Sequence, residues 1–188
     1  MSKSRILAAG LALVVALAGN ALAGEVQADP AGRDGSHDFD FNLGTWHTHI
    51  QRILDPFTGA THRVTLDGTV AVRKVWNGRA WLEEISADGP DGHWDGTTLF
   101  LYNPRSGQWS QTYAGSDDGK LNPPTIGSFH DGVGELYATD TYQGRQVLLR
   151  GTWADITPDS HTYTEAWSDD GGRTWAPYFI ARLTRIKA

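Results

Sequence analysis

From residue 37 onward, apolar and polar side chains alternate in short runs, and no stretch of a dozen residues carries a 3.6-residue period. The run Thr162 to Trp167 is representative. Tyr163, Glu165 and Trp167 fall on one face of an extended segment, and Thr162, Thr164 and Ala166 fall on the other. Thr, Val, Trp and Tyr dominate such runs, which predicts strands near 45–54, 61–66, 69–76, 79–87, 94–102, 108–114, 125–130, 134–142, 146–154, 161–168 and 175–185. Between them stand residues that tolerate a left-handed backbone: Asn77-Gly78, Asp118-Gly119, Asp131-Gly132, Gln143-Gly144 and Gly171-Gly172. Helix is confined to one expected turn within His37 to Leu43.

Sequential hairpins with no long crossover imply an all-β, up-and-down antiparallel meander. A meander of about ten strands removes its exposed edges most simply by closing into a barrel. A barrel of that size leaves an interior that side chains or one small ligand can fill, so the interior is where a site is expected.

One motif argues for a different architecture. Ser168 to Trp175, SDDGGRTW, fits the S-x-D-x-G-x-T-W Asp-box that recurs on sialidase propellers. A propeller needs several blades of roughly 40 to 50 residues, whereas the full motif occurs once here; Ser116-Asp117-Asp118-Gly119 runs on into Lys120-Leu121 instead of Thr-Trp. The motif is therefore expected to act locally, with the aspartate capping turn amides and the tryptophan packing back on its hairpin.

The N terminus alters the picture of where the chain works. Lys3 and Arg5 precede an apolar run from Ile6 to Ala18, followed by Ala21-Leu22-Ala23, the pattern of a secretory signal peptide cleaved after Ala23. The expected organisation is a signal peptide at 1–23, a flexible lead-in at 24–36 and a single barrel domain at 37–188, with a periplasmic or secreted address. Losing Lys3 and Arg5 moves the net charge from −6 to −8, and the remaining Lys and Arg are scattered among carboxylates, so no nucleic-acid partner is expected. The chain has no cysteine. Neither disulfides nor a lipobox anchor are available, so no stable membrane anchor is expected and stability must come from packing. The oligomeric state is left open.

Candidate chemistry follows from strand faces. Glu165 lies between Tyr163 and Trp167, Asp140 shares a face with Leu136, Ala138 and Tyr142, and Trp109, Gln111 and Tyr113 share another. A carboxylate on an aromatic barrel face is either paired with a cation or has a raised pKa, which suits acid or base work. Arg52 and Arg150 are the available cations. An ion pair that only fixes register accounts for the same residues. His47 and His49 share one side of a strand, but a zinc site needs three or four ligands, and His62, His93, His130 and His161 fall at strand ends or turns; no metal is expected. A haem would need an inward histidine, for which His49 and His161 are the candidates, and no cofactor is expected. Trp76, Trp81 and Trp94 on consecutive strands could form an aromatic platform for a sugar, a flat hydrophobe or a partner protein. No Walker loop, dinucleotide fingerprint, G-x-S-x-G elbow or H-E-x-x-H helix is present.

Gly44-Thr45-Trp46 at the start of the first strand, with Arg182 and Arg185 in the last, is similar to the lipocalin and calycin arrangement, in which a guanidinium stacks on the tryptophan to seal one barrel end. A longer set resembles a bacterial family of secreted or cytosolic, lipocalin-like barrels of unknown function. The set comprises His37-Asp38-Phe39-Asp40-Phe41, Arg52, Asp88-Gly89-Pro90, Leu101-Tyr102-Asn103-Pro104, Trp109, Gly134-Glu135, Asp140-Thr141-Tyr142, Asp155 to Ser160 and Ser168 to Trp175. The resemblance implies a fold and no activity, and it leads one to expect an amide at position 165, where this chain has a carboxylate.

The expected function is binding of a small, largely apolar ligand in the barrel interior, with Arg52, Arg150, Tyr142, Trp109, Tyr113, Tyr163 and Trp167 as ligand-binding residues. The alternative is a cofactor-free lyase, isomerase or cyclase in which Glu165 or Asp140 moves a proton and an arginine holds an oxyanion.

Overall fold

The computed structural model describes residues 34–59, 62–117 and 119–187. The expected signal peptide and the lead-in up to residue 33 lie outside the described residues, as does Asp118 of the Asp118-Gly119 turn.

Ten antiparallel strands form a closed barrel in which each pairs with its neighbours in sequence and the last returns to the first. They are β1 (Gly44–Ile53), β2 (Arg63–Val75), β3 (Ala80–Gly89), β4 (Gly92–Asn103), β5 (Gln108–Gly115), β6 (Thr125–His130), β7 (Val133–Tyr142), β8 (Arg145–Ala154), β9 (Ser160–Ser168) and β10 (Ala176–Arg185). The two strands expected at 61–66 and 69–76 are one. Asp67-Gly68 does not turn, because β2 passes straight through it, with Gly68 opposite Ala87 of β3. The glycine serves close approach: a Cβ there would collide with the Ser86 carbonyl and the Ala87 backbone.

One end of the barrel is plugged by the segment preceding β1, including a 3-10 helix at Asp40–Asn42. The Phe39 ring sits within 6 Å of the rings of Phe41, Phe100, Trp109, Phe129 and Trp153, mostly edge-on. Burying such a ring stabilises by roughly 1.5–3 kcal/mol before its specific ring contacts are counted. Backbone carbonyls of the plug are also used: Trp109 donates to Gly35 O at 2.9 Å and Trp46 to Asn42 O at 2.8 Å. Gly35 is buried, so the end of the expected lead-in is part of the plug rather than a tether.

The Asp-box is a self-contained loop between β9 and β10. Asp170 Oδ1 accepts from the amides of Arg173 and Thr174, its Oδ2 accepts from the Thr174 hydroxyl, and Ser168 Oγ accepts from Gly172 N. These donors, the Thr174 amide foremost, hold the Asp170 carboxyl well below the usual carboxylate range. Trp175 packs on the outer face, with Tyr137 at 6.1 Å and the Arg150 guanidinium 4.4 Å from its centroid.

Candidate functional site

With one end plugged, the interior opens at the other, beneath the β1–β2, β5–β6 and β9–β10 connections, as a cavity of about 600 Å³. Leu66, Val70, Ile85, Leu149, Phe179 and Leu183 supply apolar wall. The charged residues in the lining are Glu83, Asp117, Asp140 and Glu165 against Arg52.

Glu165 on β9 is the centre of the wall. Its Oε1 accepts from the Tyr163 hydroxyl at 2.8 Å and its Oε2 from the Tyr178 hydroxyl at 2.7 Å. Tyr163 in turn accepts from Gln111 Nε2 at 2.9 Å, and Gln111 Oε1 accepts from Trp153 Nε1 at 3.1 Å. The chain of donors thus runs from an indole in the core to a carboxylate in the cavity. Burial pushes the Glu165 carboxyl above its ordinary value, against the two phenolic donors; the same burial and the facing carboxylate push both tyrosines upward. Gly151 on the neighbouring strand leaves the space that the Tyr163 ring occupies.

Tyr178 reaches this site through a β-bulge. Pro177 pairs with Ala166 and Phe179 with Glu165, so β10 carries one extra residue between them. Simple alternation would send Tyr178 outward and Phe179 inward; the bulge brings both into the cavity lining. The Tyr178 ring then stacks on Trp167, centroids 3.7 Å apart and planes 18° off parallel.

Toward the mouth, Trp167 Nε1 donates to Asp140 Oδ2 at 2.9 Å and the Tyr142 ring lies 4.8 Å from Trp167. Arg52 lines the same mouth and makes no ion pair or hydrogen bond among the described residues. On the opposite side Tyr113 accepts from Trp94 Nε1 at 3.0 Å. Deeper, Glu83 on β3 lies opposite Thr98 of β4 and accepts from Asn42 Nδ2 of the plug at 3.0 Å. Burial raises its carboxyl as well.

The cavity therefore gathers Arg52, Tyr113, Asp140, Tyr142, Tyr163, Glu165 and Trp167 from the expected site residues. Two others lie elsewhere. Arg150 alternates with the inward Leu149 and Gly151, so it stands on the outer face, 3.4 Å from Glu135 and over Trp175. Trp109 faces inward but is fully buried against Phe39 and Trp81 at the plugged end, below the cavity.

The expected tryptophan platform is absent. Trp76 is 59 % exposed in the β2–β3 turn, Trp81 is buried in the core, and Trp94 lines the cavity. His47 and His49 face outward, His49 pairing with Asp67 at 2.7 Å. His161 lies at a strand end, as expected, in the second position of β9, but it is not on the surface: it is 2 % exposed among the rings of Phe41, Trp46 and Trp153, outside the cavity lining. Neither histidine presents a nitrogen to a haem in the cavity. Among the described residues no group of three His, Asp or Glu is placed to hold a metal ion.

Sequence reasoning missed Glu83 and Tyr178 as site residues and left Gln111 as a mere neighbour of Trp109. Strand alternation on β3, with Trp81, Glu83 and Ile85 on one face, held the signal for Glu83. No sequence signal announces the bulge that turns Tyr178 inward.

No known protein family and no curated protein matches the chain in sequence, so the motifs from His37 to Trp175 carry no family assignment. Among solved structures, the S-type phycobiliprotein lyase CPES from Guillardia theta superposes with a TM-score of 0.56, covering 83 % of this chain and 94 % of that one at 9 % identity. A redesigned β-barrel, mFAP0, bound to DFHBI aligns with a TM-score of 0.44 over 77 % of this chain and 99 % of its own, at 11 % identity. These likenesses are of fold alone.

Proposed function

We propose that this chain is a periplasmic or secreted barrel that binds a small, largely apolar molecule in its interior. Glu165, held by Tyr163 and Tyr178, anchors the polar end of the ligand, while Arg52 and Asp140 stand at the mouth. The observation that carries this reading is the bulge in β10, which places a second phenol on a carboxylate inside an otherwise apolar cavity. Bulges of this kind re-aim a side chain at functional sites. A polar anchor within an apolar wall is the ordinary composition of a small-molecule pocket. The address rests on Lys3, Arg5, the apolar run and Ala21-Leu22-Ala23; a mature mass beginning at Gly24 in the periplasmic or culture fraction tests it.

Native mass spectrometry of the purified protein, together with titration by an anilinonaphthalene dye, tests the binding. The expected result is a one-to-one adduct or dye complex that Ala138→Trp, which fills the cavity, abolishes. Absence of any adduct, with dye binding unchanged in Ala138→Trp, overturns the reading.

One observation favours a second reading. A carboxyl raised by burial and held between two phenols can store and deliver a proton, and Arg52 can receive an oxyanion, as a cofactor-free lyase, isomerase or cyclase requires. Glu165→Gln separates the two: a binder loses affinity with its anchor, whereas an enzyme loses turnover with affinity largely intact.

A further inference from the structure

The polar groups of the cavity are unequal in kind. Four carboxylates line it against one guanidinium, and that guanidinium, Arg52, stands at the mouth. The two deep carboxylates, Glu83 and Glu165, differ in how they are satisfied. Glu165 is held by two phenols that are themselves part of a hydrogen-bonded chain. Glu83 receives one amide N–H from Asn42 and has Thr98 as its cross-strand neighbour, and a carboxylate can accept about four bonds. The lining also contains Thr48 of β1, 3 % exposed, whose hydroxyl has no hydrogen-bond partner. A buried hydroxyl without a partner has lost its water and gained nothing in return, so a ligand group that satisfies it is favoured. The remaining acceptors on Glu83 and Thr48 call for a donor-rich, positively charged group, and no cation of the chain reaches this depth of the cavity among the described residues.

We propose that the floor of the cavity is a second anchor, built from Glu83 and Thr48, that takes the protonated nitrogen of an amine carried by a largely apolar ligand. The proposal rests on the ligand-binding reading above and adds the chemical class of the ligand. An ammonium group brings three donors, which suits the open acceptors of the carboxylate and the hydroxyl, and its charge meets an opposite charge where water is scarce. The hydrocarbon part then lies along Leu66, Val70, Ile85 and Leu183 toward the mouth. An anionic ligand head is disfavoured at the same place by the Glu83 charge.

Decylamine, decanol and decanoate share one hydrocarbon chain and differ only in the head group. Their affinities for the whole protein, read by displacement of the anilinonaphthalene dye and by the shift in Tm, test the proposal. The wild type is expected to bind decylamine about tenfold more tightly than decanol, with decanoate weakest. Glu83→Gln should bring decylamine down to the affinity of decanol while leaving decanol unchanged. Thr48→Val, which leaves the carboxylate in place, should weaken decylamine severalfold, and Glu84→Gln, on the outer face of the same strand, should keep the amine preference. Equal binding of all three compounds overturns the proposal but leaves the ligand-binding reading standing, and so does an amine preference that survives Glu83→Gln. Failure of all three to bind overturns both.

Discussion

The Arg185 guanidinium lies 3.9 Å from the centroid of the Trp46 ring and donates to the carbonyls of Phe41, Leu43 and Pro158 at 3.0, 2.7 and 2.7 Å. This one side chain ties the last strand to the first, to the plug and to the β8–β9 connection. Arg182, the other arginine expected here, points outward. A lysine keeps the charge but cannot serve three carbonyls in a fixed plane. Arg185→Lys should therefore destabilise the barrel by about 1–3 kcal/mol in urea unfolding. A loss below a few tenths would show the seal to be ornamental.

Burial, with the nearby Arg185 charge adding to it, lowers the His161 pKa from 6.5 to about 3, and both ring nitrogens lack partners. The folded state therefore refuses a proton that the unfolded chain accepts below pH 6.5. The contribution is complete above pH 6.5 and is lost as pH falls toward 3, at up to about 1.4 kcal/mol per pH unit. His161→Leu should flatten that acid limb in denaturation curves taken between pH 6.5 and 3. An unchanged slope would place the titrating group elsewhere.

Glu165 has the opposite sign. Its raised folded pKa means that folding holds a proton the unfolded chain releases above about pH 4.5, so its contribution falls as pH rises through the raised folded value. The Tm difference between Glu165→Gln and the wild type should accordingly become more positive with increasing pH from 4.5 upward. A difference independent of pH would mean that the two phenols offset the burial.

The Asp-box should matter to its own loop and little beyond. Asp170→Ala removes the acceptor for two amides and a hydroxyl. Hydrogen exchange at Arg173 and Thr174 is expected to speed up while the strands of the barrel keep their protection. Global loss of protection would give the loop a structural role that its exposed position does not suggest.

The periodicity of two, the turn residues and the absence of helical patterning were enough to determine an all-β chain of about ten hairpin-linked strands. Closure follows from them, and so does the set of residues that share each face of β5, β7 and β9, because alternation is a local property that each strand carries by itself. That is why the sequence alone puts Tyr163, Glu165 and Trp167 on one face. Alternation also determined that Arg150 and Leu149 face opposite ways, but which of the two is inside depends on neighbours that only the closed barrel supplies. Three features were decided by tertiary structure alone. The plugged end was chosen by the packing of Phe39 among four rings from distant strands. The burial of His161 came from three aromatic neighbours converging on a strand end. The inward turn of Tyr178 came from one unpaired residue in β10, a misregister between two strands that neither strand's own sequence records.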